Sequence, residues 1–177
     1  MIPEVIHIIG CGMIGSNLSL DLAKTGKVKD IHIYDWDKVS EGEVYPFSAF
    51  EDLHKTDVVK IMSSINLFDV VIHPHTSRVL SEISKHELVV DCRDNKKQTI
   101  NADFSASLDG SVLVIDSTEK DSSHLYPHYT CDKNFVYINI AVSLISLYID
   151  EQRYTEKKSL IFNLDDLFDN CKQEDEG

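Results

Sequence analysis

The chain has 177 residues, enough for one domain with one sizeable core. Its 30 acidic residues against 17 basic ones give a formal net charge of −13, which argues against nucleic acid or an anionic membrane as the main partner, since both select a basic face. The longest apolar run, residues 135–149, is interrupted by Asn139, Ser143 and Ser146 and is too short to span a bilayer.

Strand-like and helix-like stretches alternate along the chain. Val5 to Ile9 is a β-branched apolar run and predicts a buried strand. Ile14, Leu18 and Leu22 recur every four residues, a helix stripe that Gly26 can close. Residues 31–34 predict a second strand, followed by a polar, turn-rich stretch to about His54. Thr56 can cap a short helix with Val58, Val59, Met62 and Ile65 inward. A third strand is expected over 69–72, a short helix over 79–85, a fourth strand over 88–92, a helix over 95–108 and a fifth strand over 112–115. A loop over 119–133 leads to a helix from Asn134 to Gln152, and 160–162 form a last short strand. The alternation implies right-handed crossovers and a Rossmann-like, doubly wound α/β fold, its mostly parallel sheet covered by helices on both faces. One domain over residues 1–164 is expected, with 165–177 as an acidic tail.

The four cysteines, Cys11, Cys92, Cys131 and Cys171, form no CxxC pair, so neither a zinc knuckle nor a thioredoxin-like centre is indicated. With no signal-peptide pattern at the start, a reducing cytoplasm is the expected location. Cys92 and Cys131 read as buried thiols rather than nucleophiles. His73 and His75 flank Pro74, and His124 and His128 lie in the long loop. Four histidines could hold a metal, but nothing in the sequence fixes their mutual distance, and polar surface is the simpler reading.

Gly10-Cys11-Gly12-Met13-Ile14-Gly15 carries the strongest chemical signal, because it follows a predicted strand and opens a predicted helix. Gly10 permits the tight turn, Gly12 lets the backbone approach a phosphate, and Gly15 lets helix and strand pack closely. The helix N-terminus then offers amide groups and a positive dipole end to an anion. Asp35, at the end of the second strand, can accept hydrogen bonds from ribose hydroxyls and disfavours a 2′-phosphate. To this point NAD and ATP fit equally well.

The next segments separate them. Asp35-Trp36-Asp37-Lys38-Val39 is followed by Lys60, and then by Asp91-Cys92-Arg93-Asp94-Asn95 at the end of the fourth strand. Gly-rich turn, Asp-x-Asp-x-Val, Lys and Asp-x-x-Asp-Asn, in this order and spacing, resemble the ThiF/MoeB/HesA family, the adenylation domains related to ubiquitin-activating enzymes. The resemblance runs from about Val5 to Leu108 and is weaker over 135–152. It implies binding of ATP and Mg2+ and transfer of AMP to the C-terminal glycine of a ubiquitin-like or sulfur-carrier protein. It further implies that Gly10, Gly12 and Gly15 hold phosphate, Asp35 the ribose, and Lys60 the charge that builds in the transition state. Asp94, with Asp91, would hold magnesium. Asp37 reads as a turn acid or a ligand contact, and Asp91 and Asp94 as turn caps if not ligands.

The chain departs from the family pattern at two positions. Where the family has Asn-x-x-Arg-Gln, it has Glu43-Val44-Tyr45-Pro46-Phe47, so Glu43 and Pro46 replace two phosphate-directed residues. Arg93 could supply the missing cation or pair with its flanking acids. The family's N-terminal helix, its zinc-binding cysteine pairs and an evident catalytic cysteine are not expected. Two alternatives to an adenylyltransferase follow: a non-catalytic module that pairs with a related subunit, and an NAD-binding oxidoreductase or sensor. The helix over 134–152, apolar nearly all round, suggests a homo- or heterodimer interface.

Overall fold

A computed structural model describes residues 3–41, 43, 46–64, 69–77, 87–93, 100–118 and 135–169. The chain enters through the strand–turn–helix expected from its opening residues: β1 (Val5–Ile9), α1 (Met13–Thr25) and β2 (Asp30–Tyr34). Gly26 ends α1 at φ 64°, a left-handed conformation that costs glycine little. There follow α2 (Lys55–Ser63), β3 (Val71–His75), β4 (Leu88–Asp91), β5 (Phe104–Asp109), β6 (Val112–Asp116), α3 (Phe135–Asp150), a single 3-10 turn over Arg153–Glu156, β7 (Ser159–Asn163) and α4 (Asp165–Asp169).

Seven strands make one sheet in the order β3-β2-β1-β4-β5-β6-β7. The first five run parallel, and β6 and β7 add an antiparallel edge. This is the Rossmann-like, mostly parallel α/β architecture expected. The strand order reverses at β1, whose two neighbours are β2 and β4, and ligand crevices in open α/β sheets form at such switch points.

Period-2 alternation divides the residues of the central strands between two faces. Ile6, Ile8, Ile31, Ile33, Leu88 and Val90 point to one side and share a core with Ile14, Leu18 and Leu22 of α1, Val58 and Val59 of α2, and Ile138, Val142, Ile145 and Ile149 of α3. Each such side chain contributes about 1.5–3 kcal/mol when buried. An exposed ion pair such as Lys27–Asp150, which links α1 to α3, contributes about 1 kcal/mol at most. Apolar burial therefore fixes the helix layer, and the ion pair only trims its edge. Ile9, Tyr34 and Val89 point to the other side and form a second small core with Ile100 and Ala102.

Several expectations need correction. Residues 104–109, expected in a helix over 95–108, form β5, with Phe104, Ala106 and Leu108 buried and the residues between them half-buried. Gly110 and Ser111 then turn β5 back into β6, with Gly110 at φ 54°. β3 is displaced toward the C-terminus of the expected 69–72 and takes in Pro74, which an edge strand tolerates because one side of its backbone has no ladder partner. α2 begins at Lys55 with His54 as its cap, so Thr56 lies within the helix, fully buried. Asp165 to Asp169 of the expected acidic tail form α4. The helix expected over 79–85, the loop over 119–133 and the cap Asn134 lie outside the described residues, as do Asp94, His124, His128, Cys131 and Cys171. The helices of the described core, α1, α2 and α3, all pack on one face.

Candidate functional site

The C-terminal ends of β1, β2 and β4 converge at the switch point. From β1 comes the Gly-rich turn. Gly10 has φ +93°, and a Cβ there would lie 3.0 Å from both the Cγ and the backbone nitrogen of Arg93. A Cβ on Gly15 would fall 1.9 Å from the Gly10 carbonyl oxygen, so the close helix–strand approach requires glycine. Gly12 is different: no heavy atom lies within 4 Å of a Cβ placed there. It caps α1 with no side-chain hydrogen bond and no acidic residue in the first turn, and the space around its Cβ position is open. That combination suits an anion.

From β2 comes Asp35. Its two oxygens accept the backbone N–H groups of Cys11 at 2.7 Å and Asp37 at 2.8 Å, which ties the carboxylate to the Gly-rich turn. Burial raises its pKa, and the two backbone hydrogen bonds oppose that shift. Its stability contribution is therefore full below the ordinary carboxylate value and is lost as pH rises through the folded value. The ionised form of Asp35 is favoured by these two amides and by the charge of Lys55. Asp37 is exposed, and its amide is the donor just described.

The stretch after β2 folds back on itself. Lys38 bridges His54, the Val39 N–H bonds the Leu53 carbonyl, and the Lys55 N–H reaches the Asp37 carbonyl at 3.1 Å. This returns Lys55 to the crevice. Its ammonium pairs with Glu43 at 3.1 Å, lies 5.5 Å from the Phe47 ring centroid, and acts electrostatically on both Asp35 and Cys11. The cation beside Asp35 is thus Lys55, which the sequence reading missed. The expected Lys60 is exposed, about 7.5 Å further along the helix and about 140° around it. Glu43 stands where the family has Asn, but its charge is balanced by Lys55. Pro46 and Phe47 are buried beneath this loop. A charge-complement search around Glu43 was the one sequence signal that could have singled out Lys55.

From β4 come Asp91 and Arg93. Arg93 donates from Nε to one Asp91 oxygen and from Nη2 to the other, both at 2.9 Å, and its backbone N–H adds a third bond at 3.1 Å. The pair is almost sealed from solvent, the side chains being 10% and 6% exposed. Both oxygens of Asp91, expected with Asp94 to hold magnesium, accept hydrogen bonds from Arg93. Arg93, expected either to supply a cation or to pair with its flanking acids, pairs with Asp91. Among the described residues no group of three or more His, Cys, Asp or Glu is placed to hold a metal. The Cys11 thiol is buried, with its pKa raised first by burial and then by Asp35, which makes it a poor nucleophile. No helix among the described residues is long and apolar enough to cross a membrane.

Fold and crevice together define a Rossmann-type domain with an open helix end at its switch point. No family model matches the chain, and no curated protein matches it. Solved structures do. The chain resembles E. coli MccB crystallised with MccA, at 16% identity and TM-score 0.61, over 92% of this chain and 64% of MccB. E. coli MccB with ATP matches at 16% identity and TM-score 0.60, over 91% and 63%. PaaA matches at 12% identity and TM-score 0.61, over 91% and 61%. The chain spans less than two thirds of the length of these proteins, and at such identities the likeness establishes a shared fold.

Proposed function

We propose that the crevice binds ATP and that the chain is a ThiF/MoeB-like adenylating domain, transferring AMP to the C-terminus of a peptide or ubiquitin-like protein. The observation that carries this reading is the convergence of the open α1 terminus, Asp35 and Lys55 at one switch point. MccB, a Microcin C7 biosynthetic enzyme of the same fold, has been crystallised with ATP and with N-formylated MccA, which supports a nucleotide and a peptide as the two ligands. In this reading the amides at the α1 terminus and the Gly12 backbone receive phosphate, and Asp35 receives the ribose hydroxyls. Lys55 leaves Glu43 to neutralise phosphate charge. Asp94 is retained as the magnesium ligand, without Asp91.

The first test is melting temperature against ATP–Mg2+, AMP and NAD. At 100 times its dissociation constant a ligand stabilises by about 2.7 kcal/mol, which for a chain of this size raises the midpoint by about 5–10 °C. ATP–Mg2+ is expected to give that shift. A shift with NAD alone would move the protein to the oxidoreductase reading. Lys55→Ala is expected to weaken ATP binding about 10- to 100-fold, the loss of a charged hydrogen bond of about 1.5–3 kcal/mol. Lys60→Ala should leave binding unchanged, and the reverse ranking would return the role to Lys60.

A second reading, a non-catalytic module that pairs with another subunit, is favoured by one observation. Arg93 is engaged by Asp91 and Lys55 by Glu43, so these two cations already have carboxylate partners. Pyrophosphate exchange with a C-terminal peptide acceptor separates the two. ATP binding without exchange on any acceptor supports the module.

A further inference from the structure

The face of the sheet opposite α1 carries a row of imidazoles. Register places His7, His32 and His73 side by side on β1, β2 and β3, with Tyr34 and His75 adjacent two residues further on. The rings stack across the strands, at 4.7 Å for His7–His32, 4.4 Å for His32–His73, 5.2 Å for His32–His75 and 4.3 Å for Tyr34–His75. Among the described residues, carboxylates bond the ladder at its two ends. His7 lies between the Tyr34 hydroxyl at 3.0 Å and Glu87 at 2.8 Å, and His73 reaches Asp30 at 2.7 Å. His32, at the centre, bonds another imidazole, with its Nδ1 2.9 Å from Nε2 of His75. That contact holds only while one of the two nitrogens lacks a proton.

The ladder is also tied to the crevice. The Asp35 amide, three residues beyond His32, donates to the His75 carbonyl at 3.0 Å, and the Gly10 amide donates to the Tyr34 carbonyl at 2.8 Å. We propose that the imidazole ladder is an acid-operated release built into the sheet: once a second stacked imidazole takes up a proton, β3 parts from β2 and Asp35 loses its backbone anchor. Burial and the neighbouring imidazoles act in the required direction, lowering His32 to about 4 and also lowering His75. For a histidine lowered in the folded state the unfolded chain binds more protons. The stability it contributes is therefore full above the ordinary histidine value and is lost as pH falls from about 6.5 toward about 4. Glu87, Asp30 and Tyr34 are the other titratable groups facing the ladder among the described residues, and Asp30 opposes the lowering of His32 as the smallest of the effects on it. The effect on ligand rests on the nucleotide reading above; the opening of the sheet does not.

Hydrogen-exchange protection of the Asp35 amide, measured on the full chain at pH 7 and pH 5 alongside the melting midpoint, tests the ladder. The wild-type chain is expected to lose about tenfold in protection, the linkage effect discounted for a half-exposed site. His32→Phe keeps a stacked ring without a titrating nitrogen and should lose less than about threefold. His75→Phe serves the same comparison should His32→Phe not fold. Equal acid sensitivity in wild type and both variants overturns the proposal, as does protection that is flat from pH 7 to pH 5. ATP affinity measured in parallel keeps the two readings apart. A chain that binds no ATP at pH 7 yet shows the His32-dependent loss rejects the nucleotide reading and upholds the ladder.

Discussion

Gly15→Ala is expected to destabilise the fold by about 3–5 kcal/mol. The new Cβ would lie 1.9 Å from the Gly10 carbonyl oxygen, 3.1 Å from the Gly10 carbonyl carbon and 3.3 Å from Ile8 Cγ2. The first two are backbone atoms of the turn itself, so no rotamer change relieves the clash. Either α1 lifts from β1 or the turn shifts, and both disturb the Gly10 amide, which is bonded to the Tyr34 carbonyl. For a protein of this size the melting midpoint should fall by roughly 10 °C or more. Gly12→Ala is the control. It has open space around its Cβ and an extended backbone at φ −75°, so folding should change little while phosphate access narrows. Equal thermal losses for the two variants would sink this account of the turn.

Asp91→Ala is expected to cost about 3–5 kcal/mol, because it removes the carboxylate that compensates a nearly buried guanidinium. Much of that loss comes from the charge left behind on Arg93 rather than from the pair's own net stabilisation. Replacing both residues with apolar ones of similar size, Asp91→Leu with Arg93→Met, should therefore recover most of the stability. Urea unfolding of the single and double variants measures the difference. A single-variant cost under about 1 kcal/mol would mean that solvent screens the pair after all. The pair also supports the Gly10 turn, since Arg93 packs where a Gly10 side chain would be. Asp91→Ala should accordingly weaken nucleotide binding as well as the fold, if the crevice serves as proposed.

Much of the architecture was legible in the residues because local patterns dictate it. The β-branched run Val5 to Ile9, the four-residue stripe Ile14, Leu18, Leu22 and the Gly10–Gly15 turn each encode their structure within about ten residues. Asp35 was legible too, since a strand that ends at Tyr34 puts the next residue at the sheet's edge. β5 was not legible because the Ala and Ser residues of 102–107 favour no strand, and the hairpin is marked only by the two-residue Gly110-Ser111 turn. The pairing of Glu43 with Lys55 was not legible, because the partner lies twelve residues on, across a loop whose return path no local rule predicts.

What the sequence alone determined was the identity and order of the parts: a glycine turn ahead of a helix, a carboxylate after the second strand, and enough apolar periodicity to bury both under one sheet. Tertiary structure decided which charges meet. Lys55 pairs with Glu43 and acts electrostatically on Asp35, Arg93 closes on Asp91, and histidines from β1, β2 and β3 become one stack. The physical reason is range. Hydrogen-bonded turns and amphipathic helices are set by neighbours along the chain, whereas ion pairs and ring stacks depend on strand register and loop return, which only the packed sheet fixes.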